Sequence, residues 1–175
     1  MSLRRLALVI LALAAAAAGG AGASGVLDGS GETAEAPDAR GELGRVLKVV
    51  DGDTIHVQLA GSVREKVRYI GVDTPETKDP RRPVQCFGRA ASDFNARLVA
   101  GEPVRLERDV EPRDRYGRLL AYVFRARDGL FVNAELVRRG FAQPLTIAPN
   151  VRYAGRFAAL ARDARTDGRG LWSAC

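Results

Sequence analysis

LGRVLKVVDGDTIHVQLAGSVREKVRYI, residues 43–70, alternates short apolar-rich runs with two turn signals. Asp51-Gly52 and Gly61-Ser62 divide it into three strand-like runs, 43–50, 54–60 and 63–70. In the middle run Ile55, Val57 and Leu59 share one face while Thr54, His56 and Gln58 share the other, the two-residue period of a half-buried strand. Asp53 has the parity of the inward set, which puts a carboxylate at the rim of the core. A charge there loses part of its hydration and calls for a compensating cation.

Beyond this stretch, residues 71–83 carry Pro75, Pro80 and Pro83 among charged residues and read as a loop. Phe87, Ala91, Phe94 and Leu98 then recur at helical spacing before Gly101, which predicts an amphipathic helix over 87–100. Strands are expected over 103–110 and 118–126, on either side of a loop at 111–117. Asn133 is read as the N-cap of a short helix ending before Gly140. Tyr153, Phe157, Leu160, Ala161 and Ala164 give a last helical stripe. Three strands, a helix, two strands and two helices is the order of an oligonucleotide-binding-type (OB) barrel. The expected class is therefore α+β, mainly β: a five-stranded Greek-key barrel with about three helices.

A chain of 175 residues, 46% hydrophobic and 27% charged, allows one globular domain plus a tail. Its net charge of +6 attracts anionic polymers before any specific contact forms. Arg4 and Arg5, the apolar run 6–18 and Ala21-Gly22-Ala23 predict a signal peptide over 1–23, hence a secreted or periplasmic protein. An uncleaved signal anchor tethering the protein to a membrane is the alternative. Residues 24–41 lack large apolar side chains and read as a disordered linker, leaving a folded domain at 42–175 without a membrane span. In an exported chain the two cysteines, Cys86 and Cys175, are expected to form a disulfide, against the alternative of free or intermolecular thiols.

Asp53, Asp73 and Glu76 offer hard anionic oxygen, which suits calcium or magnesium and not zinc. The one histidine, His56, falls on the polar face of its strand. An EF-hand is excluded at Asp51–Thr54 because Ile55 and His56 occupy positions where an oxygen ligand and glycine are required. Guanidinium groups accompany the carboxylates: Arg68 precedes Asp73, and Asp114-Arg115-Tyr116-Gly117-Arg118 follows in the later loop. Carboxylates and arginines together point to metal-assisted chemistry on a phosphate.

With these motifs, with GRLLAY at 117–122, VNAELVRRG at 132–140 and the terminal GLWS, the chain resembles the staphylococcal nuclease (thermonuclease) family from about Val49 to Trp172. The resemblance implies calcium held by Asp53, Asp73 and the Thr74 carbonyl, with Glu76 orienting or deprotonating the attacking water. It implies Arg68 and Arg118 on the scissile phosphate, and Arg115 and Tyr116 on a terminal nucleotide phosphate. Expected substrates are DNA and RNA, cut without sequence preference to leave 3′-phosphate ends, by a monomer without an organic cofactor. The family's reference member has a tyrosine pair where this chain has Leu145, Thr146 and Ile147, so base stacking there is in question. Asp51 has no matching ligand role and reads as a turn residue. The competing classes are a non-catalytic OB-fold nucleic-acid-binding module and a calcium-stabilised cell-surface module. Retention of both the acidic and the arginine sets argues against them.

Overall fold

Three antiparallel strands arise from the 43–70 stretch: β1 (Glu42–Val49), β2 (Thr54–Gln58) and β3 (Arg64–Tyr69). The computed structural model describes residues 41–78, 80 and 83–175, so apart from Gly41 the expected signal peptide and linker lie outside the described residues. The two-residue period holds, since Ile55, Val57 and Val67 are fully buried while His56 and Lys66 face away from them. A two-residue strand, β4 (Val72–Asp73), follows. Next come α1 (Gly88–Val99), β5 (Pro103–Glu107), β6 (Leu119–Arg125) and α2 (Val132–Arg138). The chain ends with β7 (Gln143–Pro144), α3 (Ala154–Thr166) and the one-turn α4 (Leu171–Ala174).

Five strands close into a barrel in the order β1-β2-β3-β6-β5, the OB-type arrangement expected. β1 serves two partners: Glu42–Arg45 pair with β5, and Arg45–Val49 pair with β2 across an irregularity between Val46 and Lys48. Such a bulge bends a strand and lets one chain segment turn a barrel corner. Gly44 sits at this corner, where a Cβ would lie 2.4 Å from the Val57 side chain, so the crossing requires glycine. β3 pairs in parallel with β6, setting Arg68 beside Leu120.

Several expectations need correction. Asn133 does not cap α2; it lies inside the helix, fully buried, accepting the Val123 N–H (2.9 Å) and donating to the Ile70 carbonyl (2.9 Å). Its amide ties the helix to the barrel, which a terminal position could not do. β5 stops at Glu107 rather than 110, because Asp109 turns away to accept the Tyr122 hydroxyl (2.8 Å) and the Arg152 N–H (3.1 Å). β4 and β7, which pair with each other, and α4 were not expected from sequence. Around the barrel end, Tyr122, Phe131, Tyr153 and Phe157 interlock α2 and α3 with β6.

Candidate active site

The turn between β1 and β2 delivers Asp53. The Asp51 side chain accepts the Asp53 N–H (3.1 Å), an Asx turn that confirms Asp51 as a turn residue. Gly52 lies so close to Thr74 that a Cβ would approach its hydroxyl oxygen to 2.6 Å, and this contact seats the turn against the loop after β4. From α1, the buried Asn95 donates to the Asp51 carbonyl (3.0 Å) and accepts the Tyr69 hydroxyl (3.0 Å). Sequence reasoning missed Asn95, although a polar residue in register with Gly88, Ala91 and Val99 on the buried stripe was a usable signal.

Asp53 is 5% exposed and accepts from the Thr54 hydroxyl (3.0 Å), the Thr74 N–H (2.9 Å) and the Thr74 hydroxyl (2.8 Å). Arg68 adds a charged partner at 3.1 Å and reaches Asp73 with its other terminal nitrogen at 2.8 Å. The same guanidinium donates to the Val72 carbonyl (2.8 Å), so its plane is fixed on several sides. One cation thus stands between two carboxylates. Burial, followed by the neighbouring Asp53 charge, pushes the Asp51 carboxyl up to about 6. Burial also raises Asp73; Arg68 opposes this, and the Asp53 and Glu76 charges reinforce it. Negative charge in this corner is under-compensated.

Glu76 does not converge with the two aspartates on one centre, and among the described residues no three acidic, histidine or cysteine side chains do. Its carboxylate instead accepts the Thr77 and Lys78 N–H groups (2.7 and 2.5 Å), and Gln85 clamps its backbone from both sides, accepting Glu76 N–H (2.8 Å) and donating to its carbonyl (3.0 Å). No sequence pattern marked Gln85. The Thr74 carbonyl accepts no hydrogen bond among the described residues. Asp53, Asp73 and that carbonyl form a partial set of hard oxygen donors, which fits calcium with water or substrate oxygen completing the coordination.

A cleft of about 470 Å³ opens beside Arg68, lined also by Arg115, Tyr116, Arg118, Leu145 and Ile147. The Asp114 carboxylate shapes its far wall, accepting the Tyr116 and Arg118 N–H groups (2.9 and 3.0 Å) and the Arg118 Nε (2.6 Å). Burial alone would raise Asp114, but these hydrogen bonds from Arg118 and Tyr116 outweigh it and hold the carboxyl below its ordinary value. Arg115 and Arg118 both lie over the exposed Tyr116 ring, at 4.8 and 5.4 Å from its centroid. Opposite, Leu145 and Ile147 present an aliphatic wall, 37% and 60% exposed, where an aromatic one would stack bases. The cleft can hold an anion between Arg68 and Arg118 with an apolar moiety beside it.

Cys86 and Cys175 lie with Cα atoms 6.0 Å apart and sulfurs at bonding distance, joining the start of α1 to the chain end. Comparison with known proteins agrees with the geometry. The family model of staphylococcal nuclease homologues matches residues 66–174, which takes in Arg68, Asp73, Thr74, Glu76 and Arg118; Asp53 joins them through the fold. A thermonuclease of Staphylococcus hyicus is 39% identical over 142 residues, covering 81% of this chain and 82% of that protein. A thermonuclease of Staphylococcus intermedius is 48% identical over 116 residues, covering 66% and 67%. Endonuclease YncB of Bacillus subtilis is 41% identical over 128 residues, covering 72% and 59%. A closed barrel of the expected order, a paired carboxylate–arginine corner and these matches place the chain in the staphylococcal nuclease family.

Proposed function

We propose that this phosphodiester-hydrolysing nuclease is calcium-dependent and sequence-nonspecific, cutting DNA and RNA to leave 3′-phosphate ends. The observation that carries the reading is Arg68, held between Asp53 and Asp73 at the edge of the cleft that also contains Arg118. A phosphodiester is anionic and repels hydroxide, so its hydrolysis needs charge neutralisation, a positioned nucleophile and stabilisation of new charge at phosphorus.

Asp53, Asp73 and the Thr74 carbonyl would hold calcium, which when bound neutralises and polarises the phosphate. Arg68 and Arg118 grip the scissile phosphate and stabilise the charge that develops on its oxygens, a task suited to the planar guanidinium fork. Glu76 orients the attacking water and accepts its proton as the bond to the 5′ oxygen breaks on the opposite side. Arg115 and Tyr116 bind a neighbouring terminal phosphate. The aliphatic Leu145–Ile147 wall offers no ring for stacking, which favours weak base preference. The protein is proposed to be exported by its N-terminal segment, to act as a monomer and to carry the Cys86–Cys175 disulfide.

The test is incubation of the purified protein with single- and double-stranded DNA and RNA, in calcium or chelator, with end-group analysis of the products. Cleavage confined to calcium and 3′-phosphate ends on both nucleic acids is expected. Binding without cleavage in calcium would overturn the reading.

A further inference from the structure

The outward face of β1, β2 and β3 carries cations that the site above does not use. Lys48 lies opposite His56, and His56 opposite Lys66; the next register, farther from the site, sets Arg45 opposite Gln58 and Gln58 opposite Arg64. Cross-strand partners share a face, so these side chains stand on the side away from the Ile55, Val57 and Val67 that fill the barrel. Lys48, Arg64 and Lys66 are exposed, and none has a carboxylate in salt-bridge range among the described residues. Glu65 alternates to the other side, where it pairs with Arg113 at 2.6 Å. Other cations without a carboxylate partner among the described residues, such as Arg89 on α1 and Arg162 on α3, stand on helices, whereas these line up on adjacent strands with no acidic residue between them on that face.

Its position gives it a use. Arg68, Lys66 and Arg64 alternate along one face of β3, and Arg68 lies opposite Thr54 at the site end. The cleft runs from Arg68 along residues 69–72 and across to Leu120 and Arg118 on the β6 side, and neither Lys66 nor Arg64 lines it. Two residues of strand advance about 6.8 Å. That step is close to the interval between phosphates in a strand drawn out to about twice the roughly 3.4 Å per-nucleotide rise of a duplex. No Phe, Tyr or Trp stands on this face of the three strands, so apart from the His56 ring it offers charge for a backbone rather than a platform for bases.

We propose that Lys66 and Arg64, flanked by Lys48 and His56, form a backbone track for the polynucleotide that leaves the cleft at Arg68 on its β2 side. The proposal rests on the nuclease reading and deepens it. Phosphates adjoining the scissile one run down β3, so a polynucleotide gains contacts that a dinucleotide is too short to reach.

The experiment measures fluorescence anisotropy of a labelled single-stranded 20-mer and a labelled dinucleotide, in chelator, for wild type and the double variant Arg64→Ala/Lys66→Ala. At 0.1 M salt the 20-mer should bind the variant about 25-fold more weakly, the product of two contacts each with a log–log salt slope of about 0.7. The slope itself should become shallower by about 1.4. Removal of the same charge from exposed helix positions, Arg89→Ala/Arg162→Ala, should leave both quantities at their wild-type values. Equal 20-mer binding by wild type and the β3 variant would overturn the track. So would an equal loss in the helix variant, which would reveal general charge steering, or an equal loss for the dinucleotide, which is too short to reach the track. A lowered melting temperature accompanying the binding loss would also overturn it, since the face would then be structural. Wild-type protein that binds the 20-mer with the predicted slope but does not cut it in calcium defeats the nuclease reading and leaves the track standing.

Discussion

Replacing Arg68 separates a structural ion pair from a catalytic one, because the structure allows both costs to be worked out. The Asp73 partner is 58% exposed, and a pair in that much water contributes less than about 1 kcal/mol. The Asp53 side chain is only 8% exposed, and stripping a buried charge of its counter-ion costs about 3–5 kcal/mol. Three hydrogen bonds from Thr54 and Thr74 remain on that carboxylate, each worth about 1 kcal/mol, so Arg68→Ala should lose at most about 3 kcal/mol. At the transition state the loss should be greater: removal of a charge stabiliser lowers kcat/KM by about 10² to 10⁵. Arg68→Lys resolves the two effects. An ammonium keeps a positive charge beside Asp53 but cannot span two carboxylates and a phosphate. It should recover at least half of the lost stability while kcat/KM stays at least about 100-fold down. Thermal melts and single-turnover cleavage of one oligonucleotide, normalised to folded protein, supply both numbers. If lysine restores activity along with stability, or if alanine retains activity within about threefold, Arg68 is a structural residue and the mechanism is wrong.

Glu76→Ala should lower kcat by about 10² to 10⁴ with little change in KM, the signature of a lost general base; a change in KM alone would remove Glu76 from the chemistry. Reduction of the disulfide, or Cys175→Ser, reopens a loop spanning 89 residues and should cost about 4.6 kcal/mol in the chain-entropy model. For a domain of this size that is roughly 15 °C of melting temperature, and an unchanged melt with and without reductant would show that the bond is not formed. Asp51 is raised in the fold from 3.8 to about 6 by burial and the Asp53 charge. Its favourable contribution is therefore complete below pH 3.8 and is lost as pH rises through 6. In chelator, Asp51→Asn, which keeps the turn acceptor, should be more stable than wild type at pH 8 and no more stable at pH 3.5, as read by urea melts at the two pH values.

The barrel was legible because β2 repeats a two-residue pattern and turn signals separate the strands on either side of it. Ile55, Val57 and Val67 declare their inward face one by one. Strands of two residues have no period to read, and β4 and β7 were accordingly missed. Asn133 was misread for a different reason: asparagine favours helix caps locally, while its actual partners, Val123 and Ile70, are 10 and 63 residues away. The site followed the same division. Asp53, Asp73, Arg68 and Arg118 were visible as residue types near turns, and the structure brings the first three into contact. Asn95 and Gln85, which hold the acidic turn and the Glu76 loop, act through pairs of hydrogen bonds to residues outside their own turn of chain, which leave no local pattern beyond a polar residue on an apolar stripe.

Site geometry and strand register are here one constraint. β3 sets Arg68 opposite Thr54 on one neighbour and beside Leu120 on the other. Asp53 immediately precedes Thr54, and Arg118 lies two residues before Leu120, so pairing alone carries the carboxylate and both guanidinium groups to the same end of the sheet. A slip of β3 by one residue would turn Arg68 into the core and Val67 out to water. Val67 is fully buried against its partner Ile55, and exposing one such side chain costs about 1.5–3 kcal/mol before the buried arginine is counted. The apolar residues between the functional ones therefore do more than fill the barrel. By making every other register expensive, they fix where Arg68 and Arg118 stand relative to Asp53, and the proposed chemistry would inherit its precision from the packing of the sheet.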